Sequence, residues 1–453
     1  MRKVTIIGGG GVRTPLLIYG LAQAQQMLQV GRLVLYDVDE ERAETIARLG
    51  REILRLSDAG FEIRVSSQIE EAAEDSDFVL NSIRVGGIAA RARDERIAIE
   101  HGLAGQETTG PAGAAMALRT LPVTLEHALI VERVSPDAWF INFTNPAGLI
   151  TQALQHHTNL RVIGICDTPS ELFHKIAEAL GESVDAMVFE YAGLNHLGWI
   201  RRVLLRGTDI TERLLSNPEL LRRLYPPGLF DPVLIQTLRL IPSEYLFFYY
   251  SQRKAHQNQV RVGASRGAEL ERLNVELFER LGAADAAEGL TIYRSYLLQR
   301  NASYMKLEAQ AESAFDVAKE TYDPFESATG YHRIALDLMS GLVSGHGPNL
   351  VLNVRNDGAV EDLEADDVVE VPCVVNLDGA RPLRTGRLPD SVRGLVQAVK
   401  AYERTTIQAA VSGSAALAQL AMLEYPIIGQ WELAGELRQS LIGADPEYLG
   451  YLR

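Results

Sequence analysis

Short apolar runs alternate with longer stretches of helical spacing through the first third of the chain. Residues 3–7 (KVTII) are apolar and stop at four consecutive glycines, residues 14–26 repeat apolar positions at helical spacing, and residues 33–36 (LVLY) end at Asp37. Glu40–Leu56 is helical with charge on one face, and residues 61–65, Phe78–Asn81, Trp139–Asn142 and residues 161–165 are further strand candidates. Runs that stay apolar instead of alternating suit strands buried on both faces. Their alternation with helices predicts a parallel, doubly wound sheet.

Beyond residue 168 the pattern changes. Helical spacing dominates at 170–180, 268–281 and 392–422, with strand-like runs at 350–354 and 368–375. The expected architecture is therefore α/β: a Rossmann-like dinucleotide-binding domain over residues 1–168 and an α+β substrate, metal and oligomerisation domain over 169–453. The acidic stretch 361–367 (EDLEADD) reads as a solvated loop.

Composition narrows the function. Across 453 residues, 44 Lys and Arg against 59 Asp and Glu leave a net charge of −15, which argues against a general nucleic-acid binder. Two cysteines, Cys166 and Cys373, exclude a disulfide framework and point to a reducing cytoplasm. No apolar run reaches the ~20 residues that span a bilayer, so no membrane association is expected.

The glycines Gly8, Gly9, Gly10 and Gly11 follow a strand and precede a helix, the place where backbone N–H groups approach a pyrophosphate. Asp37, at the end of the second strand, can accept hydrogen bonds from ribose hydroxyls and would favour NAD. Val12 and Arg13 complete the loop, with Arg13 where the usual fingerprint has its third glycine.

Further segments carry more specific signals: RVGG from Arg84, GQETTG (105–110), NFTNPAG (142–148), GICDTP (164–169), GLNHLGW (193–199), IPSEYLFFYY (241–250), SRGAE (265–269) and VEVPCVV (369–375). In this order they resemble glycoside hydrolase family 4, whose members depend on NAD and a divalent metal, and the resemblance covers essentially the whole chain. It implies Cys166 and His196 as ligands of Mn²⁺ or another divalent metal, a pair whose chemistry suits such an ion. Cys373 has no such motif and is expected in the core.

The resemblance also implies a reaction in which NAD⁺ removes a hydride from C3 of the sugar. The metal polarises the new carbonyl, a base removes the C2 proton, the aglycone leaves, water adds, and the hydride returns. Tyr245 matches the base. A free tyrosine has a pKa of about 10, so positive charge nearby is expected to lower it. Arg84, Arg91 and Arg266 match arginines of the substrate pocket, and guanidinium groups hold phosphate well. Asn145 is expected to meet sugar hydroxyls, or to cap the helix that follows it. Arg13 could contact a substrate phosphate or the cofactor pyrophosphate.

Asp167 matches an aspartate that assists leaving-group departure in α-specific members, where β-specific members more often carry asparagine. GQETTG and NFTNPAG look more like the β-specific relatives. The wider match favours a 6-phospho-β-glucosidase acting on a phosphorylated small-molecule glycoside, with the α-specific and non-phosphorylated readings left open. A plain NAD-dependent sugar or hydroxy-acid dehydrogenase is the rival class. A homodimer or homotetramer is what the resemblance suggests.

Overall fold

The computed structural model describes residues 1–302, 304–305, 323–327 and 329–453. In chain order its strands are β1 (Arg2–Ile7), β2 (Val30–Tyr36), β3 (Glu62–Ser66), β4 (Phe78–Asn81), β5 (Trp139–Asn142), β6 (Arg161–Gly164), β7 (Met187–Leu194), β8 (Leu197–Leu205), β9 (Thr208–Asp209), β10 (Ile241–Pro242), β11 (Leu350–Arg355), β12 (Val368–Asn376) and β13 (Gly379–Pro382). The six N-terminal strands pair in parallel in the order β3-β2-β1-β4-β5-β6. That is the order of a dinucleotide-binding sheet. Val4, Ile6, Ile7, Leu33, Leu35, Val79 and Leu80 are buried, as parallel strands covered on both faces require.

The strands after residue 168 extend this same sheet. β11 pairs antiparallel with β6, then β12, β7, β8 and β10 follow, each antiparallel to its neighbour. β7 and β8 form a hairpin whose two-residue turn is Asn195–His196.

Several elements differ from their sequence patterns for local reasons. The helix from Thr14 ends at Gln23 and is followed by a separate turn, Gln25–Leu28. The pattern at 392–422 is two helices, Asp390–Ser412 and Ala415–Glu424, parted at Gly413 in a left-handed conformation that glycine adopts without steric cost. The acidic segment 361–367 is not simply solvated. Asp367 is buried, accepting from Arg404 Nε at 2.8 Å and from the Glu364 amide, while Asp362 accepts from the Leu388 amide. The helix Gly110–Val134 is long and apolar enough by composition to cross a membrane, yet 67% of its most apolar window is buried inside the protein.

Candidate active site at the carboxyl ends of the parallel strands

The loop after β1 is shaped by packing. A Cβ on Gly8, whose φ is +88°, would stand 2.6 Å from the Ser82 carbonyl oxygen, and one on Gly9 would stand 2.6 Å from Leu35 Cβ. All four glycine amides are engaged within the turn: those of Gly8 and Gly9 donate to the Tyr36 carbonyl, that of Gly10 to Asp37 Oδ2 at 2.8 Å, and that of Gly11 to the Gly8 carbonyl. Within this loop, the backbone donors with no hydrogen-bond partner are those of Val12 and Arg13, at the start of the helix Thr14–Gln23. A pyrophosphate would therefore meet these two amides and the helix terminus, with the glycines as scaffold. The Val12 carbonyl accepts from the Tyr293 hydroxyl at 2.7 Å, which holds the loop in place. Asp37 also accepts from the Asp39 amide, so its carboxylate sets the loop as well as facing any ribose.

β6 delivers Cys166, and the next residue, Asp167, precedes the helix Thr168–Leu180. Cys166 is buried, and burial pushes its thiol well above the usual range, opposed by hydrogen bonds from the Thr168 side chain and amide. A cation would be needed to draw the thiolate out. Arg13 reaches across from the glycine loop to Asp167, Nη1 to Oδ2 at 3.4 Å, and lies over the Tyr331 ring at 4.4 Å. Burial raises the Asp167 carboxyl despite that guanidinium. Arg13 thus ends on Asp167, not on an open phosphate position.

His196 sits in the β7–β8 turn at φ +60°. Two asparagine contacts fix that turn: the Asn195 Oδ1 accepts from the Ala147 amide at 3.1 Å, and its Nδ2 donates to Glu370 at 3.0 Å. The amide at the start of the helix Ala147–His157 is therefore capped by Asn195, whereas Asn145 does not cap it and keeps a buried Oδ1 without a partner. Asn142 is a hub inside the loop, bonded to Asn81, Thr144, Ala147 and Thr151. Glu370 accepts also from Tyr191 and Asn353, and burial still pushes it up to about 7.

Thr108 holds His196 in place: its hydroxyl lies 2.7 Å from His196 Nδ1 and 2.9 Å from Gln106 Oε1. His196 Nε2 is buried with no partner. Burial holds the ring neutral, with a pKa near 4. An unpartnered imidazole nitrogen and a buried thiol are donors that suit a soft-to-borderline divalent cation, and both lie near Tyr245, which stacks on His196 and is acted on by Cys166. No group of three or more His, Cys, Asp or Glu able to hold a metal is found among the described residues.

Tyr245 follows β10, which pairs with β8 just past the hairpin, and its ring stacks on His196 at 3.7 Å between centroids. Burial pushes the phenol well above its usual range and Glu107 and Glu244 push the same way, while a hydrogen bond with the Tyr304 hydroxyl works against them. The Tyr245 phenol is thus raised, not lowered as expected, even though Arg91 lies near enough to act on it.

The arginines gather beside it. Arg84 and Arg91 both reach Glu107 Oε2, the latter at 2.8 Å, and although burial alone would raise it they hold the Glu107 carboxyl well below the usual range. Arg91 Nε donates to Glu95, whose other oxygen accepts from the Gly267 amide at 2.6 Å, which draws the helix Arg266–Ala283 and its first residue to the same place. Arg266 bonds Glu269 at 3.1 Å and the Arg300 carbonyl. Glu107, Gln106, Thr108, Asn195, Glu244, Glu370 and Tyr304 were not among the candidates read from sequence. All but Tyr304 lie inside quoted motifs, Glu107, Gln106 and Thr108 in GQETTG, Asn195 in GLNHLGW, Glu244 in IPSEYLFFYY and Glu370 in VEVPCVV, so position in a motif was the available signal.

A parallel sheet of dinucleotide-binding order, with a thiol, an imidazole, a phenol and arginines at its carboxyl edge, defines an enzyme of the NAD-binding α/β class. The comparisons specify it. The model described as Family 4 glycosyl hydrolase matches residues 3–182, and its C-terminal domain model matches 191–428. A probable 6-phospho-beta-glucosidase of Bacillus subtilis is 31% identical over 99% of this chain and 97% of its own length. A solved 6-phospho-beta-glucosidase structure from Thermotoga maritima, with manganese, NAD+ and glucose-6-phosphate, superposes with a TM-score of 0.82 at 30% identity, covering 99% of both chains. A 6-phospho-alpha-glucosidase structure from gut microorganisms, in complex with NAD and glucose-6-phosphate, gives 0.80 at 26% identity, covering 99% of this chain and 98% of the other. The chain belongs to glycosyl hydrolase family 4 and is a glycoside hydrolase.

Proposed function

We propose that the protein hydrolyses 6-phospho-β-glucosides. The carrying observation is the buried, unpartnered Nε2 of His196, whose ring is stacked on Tyr245, a phenol that Cys166 also acts on. When bound, NAD supplies reversible hydride acceptance at C3, and a divalent cation at Cys166 and His196 supplies polarisation of the C3 carbonyl. Tyr245 removes the C2 proton from the sugar. Arg84, Arg91 and Arg266 receive the 6-phosphate, with Glu107 holding the first two in place until it arrives. Asn145 offers its free Oδ1 to a sugar hydroxyl. The amides of Val12 and Arg13 and the carboxylate of Asp37 receive the dinucleotide.

The β assignment is supported by the wider motif match in GQETTG and NFTNPAG and by the 31% identity to a probable 6-phospho-beta-glucosidase against 27% to a 6-phospho-alpha-glucosidase. A panel of nitrophenyl glycosides tests the whole reading: α and β anomers, gluco and galacto sugars, with and without 6-phosphate, in NAD⁺ and Mn²⁺. The expected result is turnover of the 6-phospho-β-glucoside with no net NADH. Preference for the α anomer overturns the anomer, and accumulation of stoichiometric NADH without nitrophenol overturns glycoside hydrolysis. Cys166→Ser should abolish metal-dependent turnover while NAD⁺ affinity is unchanged; full activity in that variant would remove Cys166 from the metal site.

A further inference from the structure

Between the motif that ends at Tyr250 and the one that starts at Ser265 runs the helix Gln252–Val262. One of its side chains closes on the loop that carries Glu107 and Thr108. Gln259 is 1% exposed. Its Oε1 accepts from the Gly105 amide at 2.8 Å, and its Nε2 donates to the Gly105 carbonyl at 2.7 Å. Among the described residues these are the only hydrogen bonds of the Gly105 backbone. A side-chain carboxamide offers a donor and an acceptor side by side, so it takes the place a neighbouring strand would have. The position it clamps admits no side chain: a Cβ on Gly105 would stand 2.5 Å from the Glu95 carbonyl oxygen.

The clamped loop serves two parts of the site. Gln106 Oε1 accepts from the amides of Thr108 and Thr109, both at 2.7 Å, which curls the loop on itself. From this curl Glu107 reaches Arg84 and Arg91, and the Thr108 hydroxyl lies 2.7 Å from His196 Nδ1. At its far end the loop enters the helix Gly110–Val134, where a Cβ on Gly113 would stand 2.4 Å from the Thr108 carbonyl oxygen. Close packing holds that end, and Gln259 holds the other.

We propose that Gln259 is a positioning residue that keeps the arginine pocket and His196 in register. This rests on the reading of Arg84 and Arg91 as phosphate-binding groups and of His196 as a metal ligand. The hydrogen bonds of Gln259 reach none of these three; it acts through Gly105. Releasing Gly105 frees Glu107 and Thr108 together, so both parts of the site loosen at once. The glycine loop after β1 lies outside the clamp.

The test uses Gln259→Met, which keeps the length of the side chain and removes both bonds, and Gln106→Met, which uncurls the loop directly. The two are made singly and together in the full chain. Manganese titration, NAD⁺ affinity and the kinetic constants for nitrophenyl 6-phospho-β-glucoside are measured on each. Gln259→Met should weaken manganese binding and raise KM, each by about 10-fold or more, with NAD⁺ affinity within about twofold of wild type. A merely structural role would not move these: a less stable protein has fewer folded molecules, which lowers the apparent kcat and leaves the KM and manganese affinity of the folded ones unchanged. The double variant should lose no more than the worse single one, because both free the same loop. Wild-type manganese affinity and KM in Gln259→Met would overturn the proposal, as would a loss at one part of the site with the other intact. Should Gln259→Met not fold, Gln259→Glu, which keeps the acceptor for the Gly105 amide, carries the same comparison. A wild type that hydrolyses no 6-phospho-β-glucoside would overturn the functional reading instead, and the clamp is then judged on manganese affinity alone.

Discussion

At His196 a single hydroxyl holds the ring: Thr108 Oγ1 lies 2.7 Å from Nδ1, and Nε2 has no partner. Outer partners of this kind orient a ligating imidazole and are worth about 10- to 100-fold in metal affinity. Thr108→Val keeps the shape and removes the contact. Manganese titration should then show weaker binding by about that factor, with NAD⁺ affinity unchanged; an unaltered titration would mean that Thr108 does not set the ring. Cys166, His196 and Tyr245 were legible as candidates because each lies in a motif. Thr108 also lies in one, but its role depends on a contact 88 positions away in the chain, and no spacing rule reports that.

Among the elements, the β7–β8 hairpin carries the most consequence. Its turn holds His196, its strand β7 carries Tyr191, and its first residue after Leu197 is Gly198. A Cβ on Gly198 would stand 2.1 Å from the Tyr191 hydroxyl oxygen, the group that donates to Glu370 at 2.9 Å. Gly198→Ala must displace that ring or spread the hairpin. Overpacking of this sort costs about 1–3 kcal/mol. Denaturant unfolding should show a loss in that range together with weakened metal binding, and a variant of wild-type stability would show that the hairpin yields freely. The sequence pattern missed this hairpin, because its apolar residues merge into the longer mixed stretch that follows residue 168. Strand ends fared better where an apolar run met a glycine or an asparagine, as at Phe78–Asn81 and Trp139–Asn142.

For the molecule as a whole, buried histidines link stability to acidity. His127 lies edge-on to Tyr36 at 5.4 Å, its Nδ1 is buried without a partner, and burial pushes its pKa down to about 4 from 6.5. The unfolded chain therefore binds more protons than the folded one between these values, and stability is lost as pH falls from about 6.5 towards 4. Glu370, pushed up to about 7, works in the opposite direction, so the histidine contribution is read by difference. Melting temperatures of wild type and His127→Gln, followed from pH 7 to pH 4.5, should show the wild type losing ground to the variant as pH falls. A constant gap would mean that His127 is protonated as readily in the fold as outside it.

The order of strands and helices in the first third, the glycine turn ending β1 and Asp37 ending β2 follow from the sequence alone, because they express periodicity and backbone freedom, which are local. The residue types of the site are local in the same sense. Tertiary structure decided the rest, because it depends on groups distant in the chain meeting at fixed distances. It turned the glycine amides inward and left those of Val12 and Arg13 outward. It carried the later strands onto β6, sent Arg13 to Asp167, and converged Arg84 and Arg91 on one oxygen of Glu107. Hydrogen-bond direction and burial belong to three-dimensional neighbours, and only the folded chain supplies them.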